Sequence, residues 1–208
     1  MKIFRRPLLY FSLVLTIFSA KSAVAQNFDI NLLKAINPQD PTANYWVQTS
    51  ASAYWVSGIA IVGSLGYGFI AGDKNMQHNA YELVLNIAIS TGISQLLKVT
   101  INRERPADRY PNDIFVNGPV HGQSFPSGHT TLAFATATTL ALDYKRWYFV
   151  VPAYLWAGTV GYSRMYLGKH YPSDVLAGAI IGIGTGYFSH WLRKKLFTDK
   201  QSAHKQPA

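Results

Sequence analysis

The sequence predicts an all-α, membrane-embedded helical bundle with five to six transmembrane helices, and three observations carry that prediction. Hydrophobic residues make up 49% of the 208 residues and charged residues only 14%, against about 25% charged in ordinary soluble domains. Five apolar stretches, Tyr54–Gly72, Ala80–Leu97, Thr130–Leu142, Trp147–Tyr162 and Val175–Leu192, lie near the length that crosses a bilayer, about 17–25 residues. The alternate connections Asp73–Asn79, Asp143–Arg146 and Arg193–Ala208 carry Lys74, Lys145, Arg146 and the Arg193-Lys194-Lys195 cluster, as the positive-inside tendency expects of cytoplasmic loops.

The first 25 residues start with Lys2, Arg5 and Arg6, continue through an apolar run from Leu8 to Ala20, and end on Ala23-Val24-Ala25 before Gln26. This layout is a secretory signal peptide or, if uncleaved, a first membrane helix; on either reading residue 26 lies outside the cytoplasm. Residues 26–53 are mixed in polarity and broken by Pro38 and Pro41, with Leu32, Leu33, Ile36, Trp46 and Val47 as apolar anchors. They read as an interfacial segment on the outer membrane boundary. Residues 54–197 hold the five apolar stretches in one domain, and the third stretch spans only if its helix starts as early as Ser127. Small polar residues inside the stretches, such as Asn86, Ser90, Thr91, Ser94 and Gln95, account for a mean hydropathy of only +0.05 and suit close helix packing. A soluble helical domain with buried helices is the competing reading. Residues 198–208 read as a disordered basic tail.

The net charge of +9 sits mainly at the termini. Residues 26–192 hold ten basic and nine acidic side chains, so no basic face remains for nucleic acid. The absence of cysteine excludes disulfides, thiolate catalysis and cysteine-ligated metals. One long connection breaks the charge rule. The segment from Lys98 to Pro126 lies outside by the predicted topology yet contains Lys98, Arg103, Arg105 and Arg109, and cations on that side point to function.

Three segments put phosphate-compatible groups at the outer ends of apolar stretches. Lys98, Arg105 and Arg164 come from separate segments and can converge on a tetrahedral anion, the arginines by forked hydrogen bonds and the lysine as a point charge. Singly, Lys98 is a snorkelling helix-end residue and Arg105 an ordinary loop residue. Ser127-Gly128 opens a helix, so Ser127 is either an N-cap or part of a phosphate site built from exposed backbone N–H groups, with His129 on the first turn. Pro172 suits a first helical position, which puts His170 just before the last helix and Asp174 in its first turn. There Asp174 can hold one ring nitrogen of His170 and leave the other to attack, or be simply a helix-start carboxylate.

Taken together, Lys98 followed after six intervening residues by Arg105-Pro106, then Pro126-Ser127-Gly128-His129, then Ser163-Arg164 with His170 and Asp174, resembles the three-part signature of the type 2 phosphatidic acid phosphatase (PAP2) superfamily at every defining position. The resemblance implies a helical bundle in which His170 forms a phosphohistidine assisted by Asp174. It implies further that His129 protonates the leaving oxygen, and that Lys98, Arg105, Ser127, Gly128 and Arg164 hold the phosphate. No metal or cofactor is implied: three cations supply the charge, and Asp108, Asp113 and Asp174 are scattered rather than clustered as a two-metal site requires.

The expected activity is hydrolysis of a lipid phosphate or diphosphate on the periplasmic face of a bacterial inner membrane. Undecaprenyl diphosphate, phosphatidylglycerol phosphate, phosphatidic acid and lipid A phosphates are the candidate substrates. A soluble periplasmic acid phosphatase of the same superfamily, a vanadium haloperoxidase and a non-enzymatic membrane module are the alternatives.

Overall fold

The computed structural model describes residues 22–203, with side-chain environments for residues 27–196. The expected signal peptide or first membrane helix therefore falls mostly outside the described residues. Seven helices are described: α1 Ser22–Ile36, α2 Asn44–Ile70, α3 Lys74–Ile101, α4 Pro106–Arg109, α5 Gly128–Tyr144, α6 Trp147–Tyr166 and α7 Pro172–Ala203. No strand occurs among the described residues. The all-α expectation holds, and α2, α3, α5, α6 and α7 correspond to the five apolar stretches.

Each boundary has a local cause. Asp73 caps α3 by accepting the N–H groups of Asn75 and Met76 at 2.9 and 3.2 Å. Asn102 ends it in the left-handed conformation at φ 47°, which asparagine tolerates better than most residues. Pro106 and Pro172 open α4 and α7, where the missing N–H costs no hydrogen bond. At the end of α6, Gly168 turns the chain at φ +67°, and a Cβ there would stand 2.2 Å from the Phe115 carbonyl oxygen. Only glycine fits, and the turn delivers Lys169 and His170 to the start of α7. Two extents differ from the sequence reading: α2 starts at Asn44 rather than near Tyr54, and α7 continues past Phe197 to Ala203.

The bundle is polar inside and apolar outside. Helix α5 is its axis, packed against α2, α3, α6 and α7, and its buried face consists of small residues: Thr130, Thr131, Ala133, Ala135, Thr136, Ala137, Thr138 and Thr139. Facing helices answer with short polar side chains. Ser57 and Thr136 share a hydrogen bond of 2.7 Å, and Asn86 Nδ2 donates to the Ala135 carbonyl and to Thr139 Oγ1, both at 2.9 Å. Large apolar residues point outward, among them Ile59, Val62 and Ile70 on α2, Leu96 and Val99 on α3, Leu155 on α6, and Leu176 and Ile180 on α7. Water would oppose this arrangement and a bilayer stabilises it, since packing of small residues and interhelical hydrogen bonds, not apolar burial, joins helices in lipid. The segments Asn44–Ile70, Lys74–Arg109 and Pro172–Leu196 are long and apolar enough to cross a membrane. The 17-residue α5 is sheathed by its neighbours and needs no lipid-facing length, and α6 packs along it.

Two features hold the ends in register. Along α7, Gly178, Gly182 and Gly186 recur every four residues against α5; a Cβ on Gly182 would lie 2.5 Å from the Thr131 carbonyl oxygen and 2.6 Å from the Ala135 nitrogen. Along α3, Glu82, Asn86, Ser90 and Ser94 form a buried stripe at the same spacing that leads to Lys98. At the Glu82 end, about 24 Å from Lys98 along the helix, Arg193 pairs with Glu82 and, at 2.9 Å, with Asp143, while His190 Nδ1 lies 3.1 Å from Glu82. Gly182→Val is expected to destabilise the bundle by about 1–3 kcal/mol through overpacking, against little change for Gly184→Val, where a Cβ meets open space. Thermal unfolding of both variants in detergent checks this, and equal losses would contradict it.

Candidate active site

The C-terminal end of α3 and the N-terminal ends of α5 and α7 meet at one end of the bundle. Their junction is Asp174, which is fully buried. In the first turn of α7 its Oδ2 accepts the backbone N–H of Tyr171 at 3.0 Å, the return half of a capping box. Oδ2 also accepts from the Ser124 hydroxyl, and Oδ1 accepts from Arg103 Nη1 at 2.6 Å. The backbone carbonyl of Asp174 receives the Ser127 N–H at 3.0 Å, which ties the start of α5 to the start of α7.

His170 is 2% exposed, and its Nδ1 faces Asp174 Oδ2 at 3.5 Å, the long limit of a hydrogen bond, with no closer polar partner. Contacts of this kind often tighten only once substrate is bound. Burial, reinforced by Arg164 and Arg105 and opposed by Asp174, takes the imidazole from the ordinary 6.5 down to about 4, so the ring is neutral at physiological pH. The same three influences lower the neighbouring Lys169 ammonium, again with burial first and then Arg164 and Arg105. Arg164 and Arg105 therefore act on both His170 and Lys169.

The three cations expected from the sequence are present and partly engaged. Arg105 donates Nε to the Gly122 carbonyl at 2.9 Å, Nη1 to Lys169 at 2.9 Å and Nη2 to His121 at 3.0 Å. Three of its five N–H groups are thus spent on holding loops, a role that its place before Pro106 did not disclose, and two remain. Lys98 donates to the Gln123 carbonyl at 2.8 Å, so it grips the same loop one residue further along. Arg164 is 6% exposed and makes one hydrogen bond, from Nη1 to Ser50 Oγ at 2.5 Å, while its buried Nε has no partner. Among the described residues none of Lys98, Arg105 and Arg164 forms an ion pair, whereas Arg103 and Arg193 form two each. A buried cation without an anion is costly unless an anion binds there.

Ser127 occupies the N-cap position of α5 but makes no side-chain cap; its Oγ accepts from Thr130 Oγ1 at 2.9 Å. The first-turn N–H groups of α5 are therefore not capped by Ser127, which favours the anion-site reading of this helix start. A Cβ on Gly128 would meet open space, so that backbone is approachable. His129, on the same turn, packs edge-on against the Tyr54 ring with centroids 4.8 Å apart.

Sequence reasoning missed Arg103, Ser124 and Asp29. Arg103 stood out only as one more cation in the outer loop, and Asp29 belongs to the segment read as interfacial. Glu82, Asp143 and His190 are the metal-type group that comes together among the described residues, with ligand atoms within 4.8 Å of one another. They lie at the opposite end of the bundle, where the Arg193 guanidinium takes up both carboxylates.

Comparison with known proteins agrees with this fold. The model of the PAP2 superfamily matches residues 79–198. The lipid A 1-phosphatase of Porphyromonas gingivalis is 33% identical over 137 residues, 64% of this chain and 28% of that protein. The undecaprenyl-diphosphatase of Sulfolobus acidocaldarius is 25% identical over 189 residues, 88% of this chain and 87% of that protein. Among solved structures, LpxE of Aquifex aeolicus superposes with a TM-score of 0.64 at 32% identity, covering 78% of this chain and 94% of that one. The transmembrane PAP2-type phosphatidylglycerolphosphate phosphatase of Bacillus subtilis shares the fold, with a TM-score of 0.69 at 23% identity over 91% of this chain and 95% of that one. The chain spans less than half the length of the lipid A phosphatases it matches, from 28% to 46%.

Arg164→Met is expected to leave the protein as stable or more stable, by up to about 4 kcal/mol, because a buried unpaired charge is removed. Orthophosphate is expected to raise the thermal midpoint of the unaltered protein, and Arg164→Met should abolish that rise. Melting curves with and without orthophosphate test both, and an undiminished phosphate shift in the variant would remove Arg164 from the anion site.

Proposed function

Because the chain belongs to the PAP2 superfamily, we propose that it is a membrane phosphatase that hydrolyses a lipid phosphate or diphosphate, with His170 as the nucleophile. The observation that carries this reading is the grouping of three ion-unpaired cations, Lys98, Arg105 and Arg164, around a neutral, buried imidazole backed by a carboxylate.

The chemistry follows from the placement of each group. Asp174 holds the Nδ1–H of His170, and Nε2 attacks phosphorus. A nitrogen–phosphorus bond forms as the bond from phosphorus to the leaving oxygen breaks, and that oxygen takes a proton from His129. Water then attacks the phosphohistidine, His129 accepts its proton, the nitrogen–phosphorus bond breaks, and orthophosphate leaves. Lys98, Arg105, Arg164 and the first-turn N–H groups of α5 stabilise charge on the equatorial oxygens throughout. Phosphoryl transfer asks mainly for such positioning, so three cations perform the task that metal ions perform in two-metal sites.

The polar-inside, apolar-outside bundle supports a lipid substrate presented from within the bilayer rather than a soluble monoester. Periplasmic orientation at an inner membrane is supported by charge: Lys74, Lys145, Arg146, Lys194 and Lys195 lie at the end away from the site. Candidate substrates are the phosphates of lipid A, undecaprenyl diphosphate, phosphatidylglycerol phosphate and phosphatidic acid, all of which present the same group to the motif residues. Release by osmotic shock without detergent would favour a soluble enzyme instead.

Phosphate release from these lipids and from a soluble monoester is the direct test. Unaltered protein should turn over at least one lipid, and His170→Ala, still folded, should show none; release by His170→Ala at the unaltered rate would refute the nucleophile. The titration of His170 gives a second check. The imidazole attacks only when neutral, and its lowered pKa keeps it neutral down to about 4, so the His170 ring of the unaltered protein, followed by NMR, should titrate with its midpoint near 4. A ring titration centred on the ordinary 6.5 would mean that the nucleophile is not held as described.

A further inference from the structure

Resting on the phosphatase reading, we infer that Asp29 of α1 is a positioning residue for the His170–Asp174 pair and acts through Arg103. Helix α1 lies outside the residues that match the family model, 79–198, and none of the sequence motifs includes it. Even so, its one acid is built into the back of the site. Asp29 is 5% exposed; its Oδ1 accepts the Ser173 N–H at 2.9 Å, and its Oδ2 accepts Arg103 Nη2 at 2.6 Å and the Ser173 hydroxyl. Arg103 Nη1 in turn donates to Asp174 Oδ1 and to Ser173 Oγ at 2.6 and 2.7 Å. The guanidinium lies 3.8 Å from the centre of the Tyr171 ring, which limits its movement.

The consequence is a division of labour between the two oxygens of Asp174. Arg103 alone would draw the whole carboxylate towards itself, since one buried guanidinium facing one carboxylate favours a forked pair. Asp29 takes the second arm of the fork. Arg103 is left with a single hydrogen bond to Oδ1, and Oδ2 stays turned towards Tyr171 N–H, Ser124 and His170. Asp29 also adds a negative charge beside the N-terminus of α7, where it offsets Arg103. The other contacts of α1 and the residue that follows it lie away from Asp174: Ile30 and Leu33 pack on Ile114 and Tyr171, Lys34 pairs with Asp113 at 2.9 Å, and Asn37 bonds to the backbone of Phe115 and Tyr166.

Asp29→Asn removes the charge at nearly constant shape. Asn37→Ala, which releases another tether of α1 without touching Arg103, serves as the control. The readout is affinity for two anions measured by calorimetry, independent of turnover: orthovanadate, which forms a five-coordinate adduct and needs the nucleophile in place, and orthophosphate, which needs only the cations. Asp29→Asn should weaken orthovanadate about tenfold, the lower end of what outer hydrogen-bond partners contribute, with orthophosphate affinity unchanged. kcat on the lipid substrate should fall in parallel at constant KM, and Asn37→Ala should alter neither anion selectively. Equal weakening of both anions, unchanged vanadate affinity in Asp29→Asn, or the same selective loss in Asn37→Ala would each overturn the inference. The phosphatase reading itself stands or falls separately, on turnover by the unaltered protein against His170→Ala.

Discussion

The contact of α5 with α7 governs the rest of the structure. Both helices start at the same end of the bundle, and the 3.0 Å hydrogen bond from Ser127 N–H to the Asp174 carbonyl fixes one start against the other. That bond requires backbones to approach more closely than side chains normally permit, which is the role of Gly178, Gly182 and Gly186 along the shared face. Lipid provides no apolar driving force between helices, so association depends on such close approach and on short hydrogen bonds between small polar groups. One packing constraint thus brings a helix N-terminus suited to anions up to a histidine and its carboxylate.

Around this contact the loops are fastened by the residues that would bind substrate. Arg105 and Lys98 together hold the carbonyls of His121, Gly122 and Gln123, and Ser124 passes its hydroxyl to Asp174. The loop between α4 and α5 is thereby fastened to the bundle end using part of the donor capacity of two cations. Arg164 takes a different part, held from α2 by Ser50 with its Nε unpartnered. A cation with spare donors, set in a buried position, gives up stability in the empty protein in exchange for affinity towards an anion.

Much of this was legible in the sequence because its signals are local. Pro172 marked the start of α7, the run from Thr130 needed its helix to begin next to Ser127, and the alternation of apolar stretches put the motif cations together at one end of them; the structure starts α5 at Gly128 and α7 at Pro172. Asp29 was not legible, because its meaning depends on Arg103 and Ser173, which are 74 and 144 residues away in the chain. Nor was the second role of Arg105, since its acceptors are backbone carbonyls and carry no residue signature. Residues 26–53 read as an interfacial segment because Pro38 and Pro41 interrupt them; in the structure those prolines lie in the link between α1, which supports the site, and α2, which supplies Tyr54 and Ser50.

The two ends of the bundle show that the missing ion pairs of the site are not a general property of the chain. At the far end Glu82 and Asp143, both buried, are matched by Arg193, with Asn79 taking its remaining arm at 2.6 Å. Behind the site Arg103 is matched by Asp29 and Asp174. The sequence therefore neutralises buried charge wherever the charge serves only to join helices. It leaves Lys98, Arg105 and Arg164 without a carboxylate partner at the end of the bundle where, under the proposed function, a phosphate would supply the missing charge.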